Sequence, residues 1–553
     1  MNLVITGQDV LTAAGRGVPA IVELLHSREH AFREHPPYES AGLTSPQCAI
    51  VADLDRGQPA CAALRAVVQA ALAEAQLDPQ TASASVGLVV GTTSGNISGP
   101  WEAWHRAKMI GEDADERGTG RESPTQQVAQ ELGLTGPTAT VSVACASGTA
   151  AFAIAAGWLQ DGAATAVVVA GVDALSLYIH AGFNGLGALS KGFARPFHAE
   201  RDGLTLGEGA AAVVLEHAGD REILALATLL GVGLAGDATH ISAPHREGRG
   251  AAEAMQAALQ DAAVSADLVD ILSVHGTATV FNDAMEAHAI RRVFGDRPLA
   301  LHGTKHAIGH TMGAAGTIEA AVVVDALVRG IQPPAPTQIA LDLPILAPPD
   351  PPHRPTVALS TSSAFGGSNA AIALSVPGRV PTVMRHPVGT RQSDMVRVDL
   401  PPGRIDWSAH WPDAPDRFKR LNRYVRTGMI AVKRLFDTLG WVPGPETGIV
   451  LASPSGCRQV DLRYHERLVK RGAAQASRLD FVYTIPGAPA AEAAIQWNLR
   501  GPPLALIGPM DQAIEEAARL IRWGRATRLV ALGIDVPDAS SPAVAQACLL
   551  ERA

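Results

Sequence analysis

Hydrophobic positions along this chain gather in two forms. Short β-type runs, Gly87 to Val90, Ala166 to Gly171 and Ala210 to Glu216, are apolar at consecutive rather than alternate positions, which predicts strands covered on both faces. Ala-rich stretches of helical length, such as Cys61 to Gln76 and Gly148 to Leu159, lie between them. Their alternation predicts layered α/β architecture. Leu132 to Gln160 is a run of 29 positions without a charge, long enough for a membrane span by length alone. It holds Pro137, four glycines, Ser142, Ser147 and Gln160, so it is expected to be a buried strand followed by a buried helix, with no membrane span.

The pattern also repeats. Gly87 to Gly95 matches Gly448 to Gly456 at an offset of 361, and Gly136-Pro137 matches Gly501-Pro502 at 365. Gly162 pairs with Gly524, and Gly171-Val172-Asp173 with Gly533-Ile534-Asp535, both at 362. The last residues, Leu549 to Ala553, echo Val214 to Ala218. The C-terminal region is therefore expected to copy the first part of the chain. Two boundaries separate them: Gln332 to Pro355 carries nine prolines, and Pro377 to Arg404 mixes Pro, Gly and charges without clear periodicity. These features predict a domain over 1–378, a linker over 379–404 and a further domain over 405–553.

Composition narrows the class. With 553 residues, 47% hydrophobic and 18% charged, the chain is neither disordered nor fibrous. Positions 1–379 carry 22 basic and 37 acidic residues, and positions 380–553 carry 23 and 17; the basic region could meet an acidic protein, a nucleic acid or a membrane surface. Five scattered cysteines without a CxxC pair speak against a disulfide framework and a zinc site and suggest a reducing compartment. Met1 to Gly7 lacks the basic and apolar segments of a secretory signal. The expected location is the cytoplasm.

Three segments carry candidate chemistry. Cys145 lies in Val141-Ser142-Val143-Ala144-Cys145-Ala146-Ser147-Gly148, where a β-type run turns into a helix. The positive end of a helix favours a thiolate, and small neighbours let substrate approach. His275-Gly276-Thr277 ends the apolar run Leu268 to Val274 and is followed by Asp283 and Glu286. Lys305-His306-Ala307-Ile308-Gly309-His310 leads into Gly313 and Glu319. His302 and His306 are expected to be structural, and Ile308-Gly309 argues against a helical His-x-x-x-His metal pair.

These blocks, with Ala194-Arg195-Pro196-Phe197, Arg201-Asp202-Gly203, Gly207-Glu208-Gly209 and Phe365-Gly366-Gly367-Ser368-Asn369, occur in one order. In that order residues 1–378 resemble the β-ketoacyl-acyl-carrier-protein synthases, specifically the elongating condensing enzymes. The resemblance implies a duplicated, five-layered αβαβα thiolase fold. It implies an acyltransferase in which Cys145 takes the acyl chain and His275 and His310 serve the decarboxylation of carrier-bound malonyl, in making a fatty acid or a polyketide, polyenes among them. Lys305 would order the site through Glu319, the Cys145 and Phe365 amides would form an oxyanion hole, and Asp283 and Glu286 would support. It also implies a dimer, with itself or with another condensing-enzyme-like subunit. Partner chemistry is then an acyl carrier protein and no nucleic acid, with no cofactor and no metal.

His198, Asn282 and Ser363 depart from the family pattern, at positions bearing on acyl access and substrate preference rather than on reaction type. The alternatives are a non-catalytic chain-length-factor-like partner, which the intact Cys145, His275, His310 and Lys305 oppose, and a CoA thiolase, which Gly309-His310 disfavours. Residues 405–553 resemble the first half of a second such domain: no cysteine lies between Leu504 and Asp511, so the expectation is a half without chemistry. Its basic stretch, Arg417 to Arg426 with Lys433-Arg434, is a candidate for steering an acidic carrier.

Overall fold

The computed structural model describes all residues except 1, 81–84, 98, 114–119, 121–122, 336–353 and 381–384; most of the proline-rich boundary therefore lies outside the described residues. Fifteen of the strands fall into three sheets built alike. The first half contains β1 (Leu3–Thr12), α1 (Pro59–Glu74), β2 (Val86–Gly91), α2 (Gly99–Met109), β3 (Thr138–Val141), α3 (Ser147–Gln160), β4 (Ala166–Asp173) and β5 (Gly209–His217). The second contains β6 (Ala227–Gly236), α4 (Arg249–Ala262), β7 (Ile271–Ser273), α5 (Val280–Phe294), β8 (Ala300–His302), α6 (Ala315–Arg329), β9 (Val357–Ser363) and β10 (Ser368–Ser375). The third contains β11 (Val396–Leu400), α7 (Arg423–Leu439), β12 (Gly448–Ala452), α8 (Arg458–Arg471), β13 (Pro503–Leu506), α9 (Met510–Arg522), β14 (Arg528–Asp535) and β15 (Ala543–Arg552).

Pairing is the same in each. The sheet orders are β3-β2-β4-β5-β1, β8-β7-β9-β10-β6 and β13-β12-β14-β15-β11. In every case the third, second and fourth strands are parallel and the outer two are antiparallel additions. β1 joins the first two sheets through Leu3–Ile5 and Ala227–Leu229. β3 meets β13 antiparallel at Val141 and Leu506, with Ser142 N donating to Ala505 O at 2.8 Å and Ile507 N to Thr140 O at 2.9 Å. The fifteen strands thus form one open series from β8 to β11. The thiolase-like α/β layering expected for residues 1–378 is present: α3 and α6 lie between the first two sheets, almost wholly buried.

The repeated glycines have a steric cause. A Cβ at Gly136 would fall 2.5 Å from Gly87 N, and one at Gly501 would fall 2.6 Å from Gly448 N. Gly162 and Gly524 close the turns after α3 and α9 at φ +69° and +75°, which favour glycine.

The third unit sits on the first as a second subunit would across a two-fold axis. Near such an axis each residue meets its own counterpart. His105 Nδ1 and His465 Nδ1, 360 residues apart, lie 2.7 Å apart; Trp158 Nε1 donates to Glu516 at 2.9 Å; Asp161 receives Arg519, Arg522 and Trp523. The sheet edge at β3, with which another subunit could pair, is already occupied by the same chain.

The expected linker needs correction. Within 379–404, Thr390–Gln392 and β11 both pair with β15, and β11 alternates buried Val396, Val398 and Leu400 with exposed Arg397 and Asp399. It is the first strand of the third sheet, so this unit begins before residue 405. Much of the basic stretch is engaged within the unit. Arg417 pairs with buried Glu492, Arg423 donates to the carbonyls of Pro401, Ala539 and Ser541, and Arg426 donates to the Phe418 carbonyl and stacks over Trp407. Lys433 pairs with Asp437, and Arg434 donates to the Arg397 carbonyl. Most of these cations hold the unit together. Among the described residues no helix is long and apolar enough to cross a membrane.

Candidate active site

Cys145 stands where β3 turns into α3. Ala144 just before it has φ +50°, a left-handed conformation costly for a residue with a Cβ. The Ser147 hydroxyl fixes this elbow, donating to Ala144 O at 2.6 Å and accepting from Val143 N at 3.0 Å. The second half repeats the device before α6, with Met312 at φ +52°. This places His310 opposite the thiol, with Nε2 3.1 Å from Cys145 Sγ. Gly309 makes the placement possible: a Cβ there would fall 2.7 Å from Leu206 O, and His310 N donates to Thr205 O at 2.7 Å. The helix Lys305–Ile308 ends at Gly309, so His306 and His310 do not share a helix face.

His275 follows β7, and its ring centroid is 5.5 Å from that of His310, nearly perpendicular to it. Glu286 of α5 anchors the turn, accepting from His275 N at 2.5 Å and Gly276 N at 2.8 Å. Asp283 accepts from Phe197 N and Ala278 N at 2.7 and 3.1 Å. Lys305 reaches Glu319 at 2.6 Å with both side chains buried, and Thr304 adds a donor at 3.3 Å. Phe365 stacks on Phe183, centroids 6.0 Å apart. Cys145, His275, His310 and Phe365 line one cavity of about 380 Å³, with Phe183, Leu186, Asp237 and Asn282 among its other walls.

All four expected catalytic residues and Glu319, Asp283, Glu286 and Phe365 are thus gathered in or directly beneath one site. His302 is buried and His306 half-buried, both outside this lining. Two groups were missed by sequence reasoning. Asp173 accepts from Thr92 Oγ1, Ser94 N and Gly313 N, the last at 2.7 Å, tying the first half to the elbow of α6. Asp237 lines the cavity and accepts from Asn369 at 3.1 Å. Asp173 lay within a quoted repeat, but its donors come from segments far apart in sequence; Asp237 had no local signal.

The electrostatics suit neutral donors. Burial first, then the charge of Lys305, hold His310 well below the ordinary histidine value, and His275 is lowered by burial, Lys305 and then His310. Both are neutral imidazoles near pH 7, each with one N–H to give. Neither Nδ1 has a partner among the described residues, so nothing draws the hydrogen away from Nε2. Burial pushes the Cys145 thiol up to about 12, opposed by Lys305. The resting group is a thiol, and the helix end and Lys305 favour its ionisation when substrate arrives. A narrow apolar crevice shares Phe365 with the cavity and runs among Val143, Ile241, Ile485, Ala491 and Leu504, so the third unit forms part of its wall.

Comparison with known proteins places these residues in context. Two family models match, described as "Beta-ketoacyl synthase, N-terminal domain" over residues 52–221 and "Beta-ketoacyl synthase, C-terminal domain" over residues 226–338. 3-Oxoacyl-[acyl-carrier-protein] synthase 2 of Rhizobium meliloti (strain 1021) is 35% identical over 342 residues, covering 56% of this chain and 79% of the relative. Nodulation protein E of Rhizobium leguminosarum bv. trifolii is 39% identical over 254 residues, 44% of this chain, and the match spans only 62% of that protein's length. Among solved structures, the ishigamide ketosynthase/chain length factor aligns with TM-score 0.62 at 28% identity, covering 68% of this chain and 99% of that one. PfaC keto synthase-chain length factor aligns with TM-score 0.82 over 100% of this chain and 78% of that one; its 16% identity shows the fold alone.

Proposed function

Because the chain belongs to the β-ketoacyl synthase family, we propose that it is a condensing enzyme extending a carrier-bound acyl chain by two carbons, in fatty-acid or polyketide assembly. One observation carries the reading: a thiol at a helix start and two neutral imidazoles, with His310 Nε2 3.1 Å from Cys145 Sγ, in one cavity. In the first half-reaction the Cys145 sulfur attacks the acyl thioester carbonyl, and the carrier thiol leaves with the proton given up by Cys145. In this reading the Cys145 and Phe365 amides hold the developing oxyanion. In the second, malonyl thioester loses CO2, and the N–H groups of His275 and His310 hold the enolate oxygen. The enolate carbon then attacks the Cys145 thioester and frees the sulfur. No cofactor is needed beyond the carrier's thioesters.

The third unit, 405–553 with the strands before it, has no cysteine at the matching elbow and takes the place of a second subunit beside β3 in this reading. Its share of the apolar crevice supports a part in limiting chain length. The five free, buried cysteines fit a reducing, cytoplasmic setting. The test is mass spectrometry after incubation with acyl-carrier protein. An adduct on Cys145, lost in Cys145→Ala, is expected; a folded chain that stays unmodified overturns the reading. Cys145→Gln keeps malonyl decarboxylation, and His310→Ala loses about 100- to 1000-fold in rate.

A further inference from the structure

The Leu177–Leu186 helix of the first half carries Phe183 and Leu186 into the wall of the Cys145 cavity. The third unit grips this helix. Tyr178 OH donates to Asp461 at 2.9 Å, and Tyr464 OH donates to the Tyr178 carbonyl at 3.3 Å. Phe481 fills a notch that exists because residue 182 is glycine: a Cβ there would fall 2.2 Å from the Phe481 ring. From that notch Phe481 meets Phe183 edge-on at 5.3 Å, and Phe183 in turn stacks on Phe365 at 6.0 Å. Three rings therefore run in file from a unit without chemistry to the residue beside the nucleophile.

We infer that Phe481 is a positioning residue for acyl transfer to Cys145: it fixes Phe183 and, through it, Phe365. The inference rests on the condensing activity proposed above. It assigns the third unit a role at the Cys145 thioester and none in decarboxylation, since the file of rings does not include His275 or His310.

The full-length chain tests this in two assays: acylation of Cys145 by a short acyl-carrier thioester, followed by intact mass, and decarboxylation of malonyl-carrier in a Cys145→Gln background. Phe481→Ala is expected to slow acylation about 10- to 100-fold, the order that a displacement of about 1 Å costs, and to leave decarboxylation within about threefold. Gly182→Ala, which drives the ring out of its notch, gives the same split. Combining the two recovers part of the loss, because the new methyl occupies space the ring has left. Unchanged acylation in folded Phe481→Ala overturns the inference. So does equal slowing of both half-reactions, which marks a merely structural role, and so does a double variant whose losses simply multiply. A wild-type chain that never acylates Cys145 removes the condensing reading and this inference with it.

Discussion

Replacing Lys305 by Met removes a charge and keeps most of the side chain's length, so its consequences are largely electrostatic. Lys305 and Glu319 are 2% and 0% exposed and 2.6 Å apart. Without the ammonium, Glu319 keeps one described donor, Thr304 at 3.3 Å, while Oε2 has none. Breaking one side of such a buried pair costs about 3–5 kcal/mol, because the remaining charge is uncompensated. Replacing both members by apolar groups is often neutral, so Lys305→Met with Glu319→Met is expected to return to within about 1 kcal/mol of wild type. The natural readout is hydrogen exchange in α6, which reports local opening in a chain too large for a single two-state transition.

The sign of the pH dependence follows from Glu319. Burial already raises its pKa, against the opposing pull of Lys305, and loss of Lys305 raises it further. A carboxyl raised in the folded state contributes stability that is complete below its unfolded value and lost as pH rises through the folded one. The single variant's deficit is therefore smaller at pH 5 than at pH 8. Condensation is expected to fail in both variants, because Lys305 is the charge that opposes burial at Cys145. Strictly additive losses, or a deficit that ignores pH, would refute the assignment.

Other outcomes follow from the same geometry. Burial lifts Glu286 to about 7, so wild-type stability should fall as pH rises toward and through 7, and Glu286→Gln should flatten thermal midpoints across pH 5–8. Asp161→Ala leaves Arg519, Arg522 and Trp523 without their shared acceptor; a local cost of about 2–3 kcal/mol should appear as faster exchange at Leu504 to Leu506. Arg423→Glu breaks three bonds to carbonyls and should destabilise the third unit in denaturant melts. Lys419 and Arg420 stay exposed, so under the proposed carrier chemistry Lys419→Glu with Arg420→Glu should fold normally and raise the Michaelis constant for the carrier; an unchanged constant removes the steering role.

Legibility in the sequence followed the physics of each feature. Cys145, His275 and His310 were visible because tight turns there need small neighbours, and those neighbours make recognisable short blocks. The third sheet was visible through glycines whose replacement would collide with backbone, as at Gly136 and Gly501. β11 was hidden: five residues between polar and proline-rich flanks give too short an alternation, and its partner β15 lies some 150 positions away. The engagement of Arg417, Arg423 and Arg426 was hidden for a related reason, since charge along a chain does not show which carbonyls will claim it. Phe481 and its glycine notch, 299 positions apart by residue number, belong to the same class.

The inner helices support the proposal that the third unit carries no site of its own. α3 is buried on every side because the first sheet lies on one face and α6 with the second sheet on the other, and it accordingly carries no charged residue. α9 occupies the same place in the third sheet, yet its sequence is Met-Asp-Gln-Ala-Ile-Glu-Glu-Ala-Ala-Arg-Leu-Ile-Arg, with Ala513, Ala517, Leu520 and Ile521 buried and Asp511 and Glu515 exposed. That spacing makes one apolar face and one wet face. A helix of this pattern does not require a second sheet over it, and burying Asp511 and Glu515 beneath one would be costly. The Cys145 cavity is made jointly by the first and second halves, with His275 and His310 both from the second. A unit whose inner helix is built for water therefore lacks the partner that would complete a cavity. Its remaining contacts with the chemistry run sideways, through β13, the apolar crevice and the Leu177–Leu186 helix.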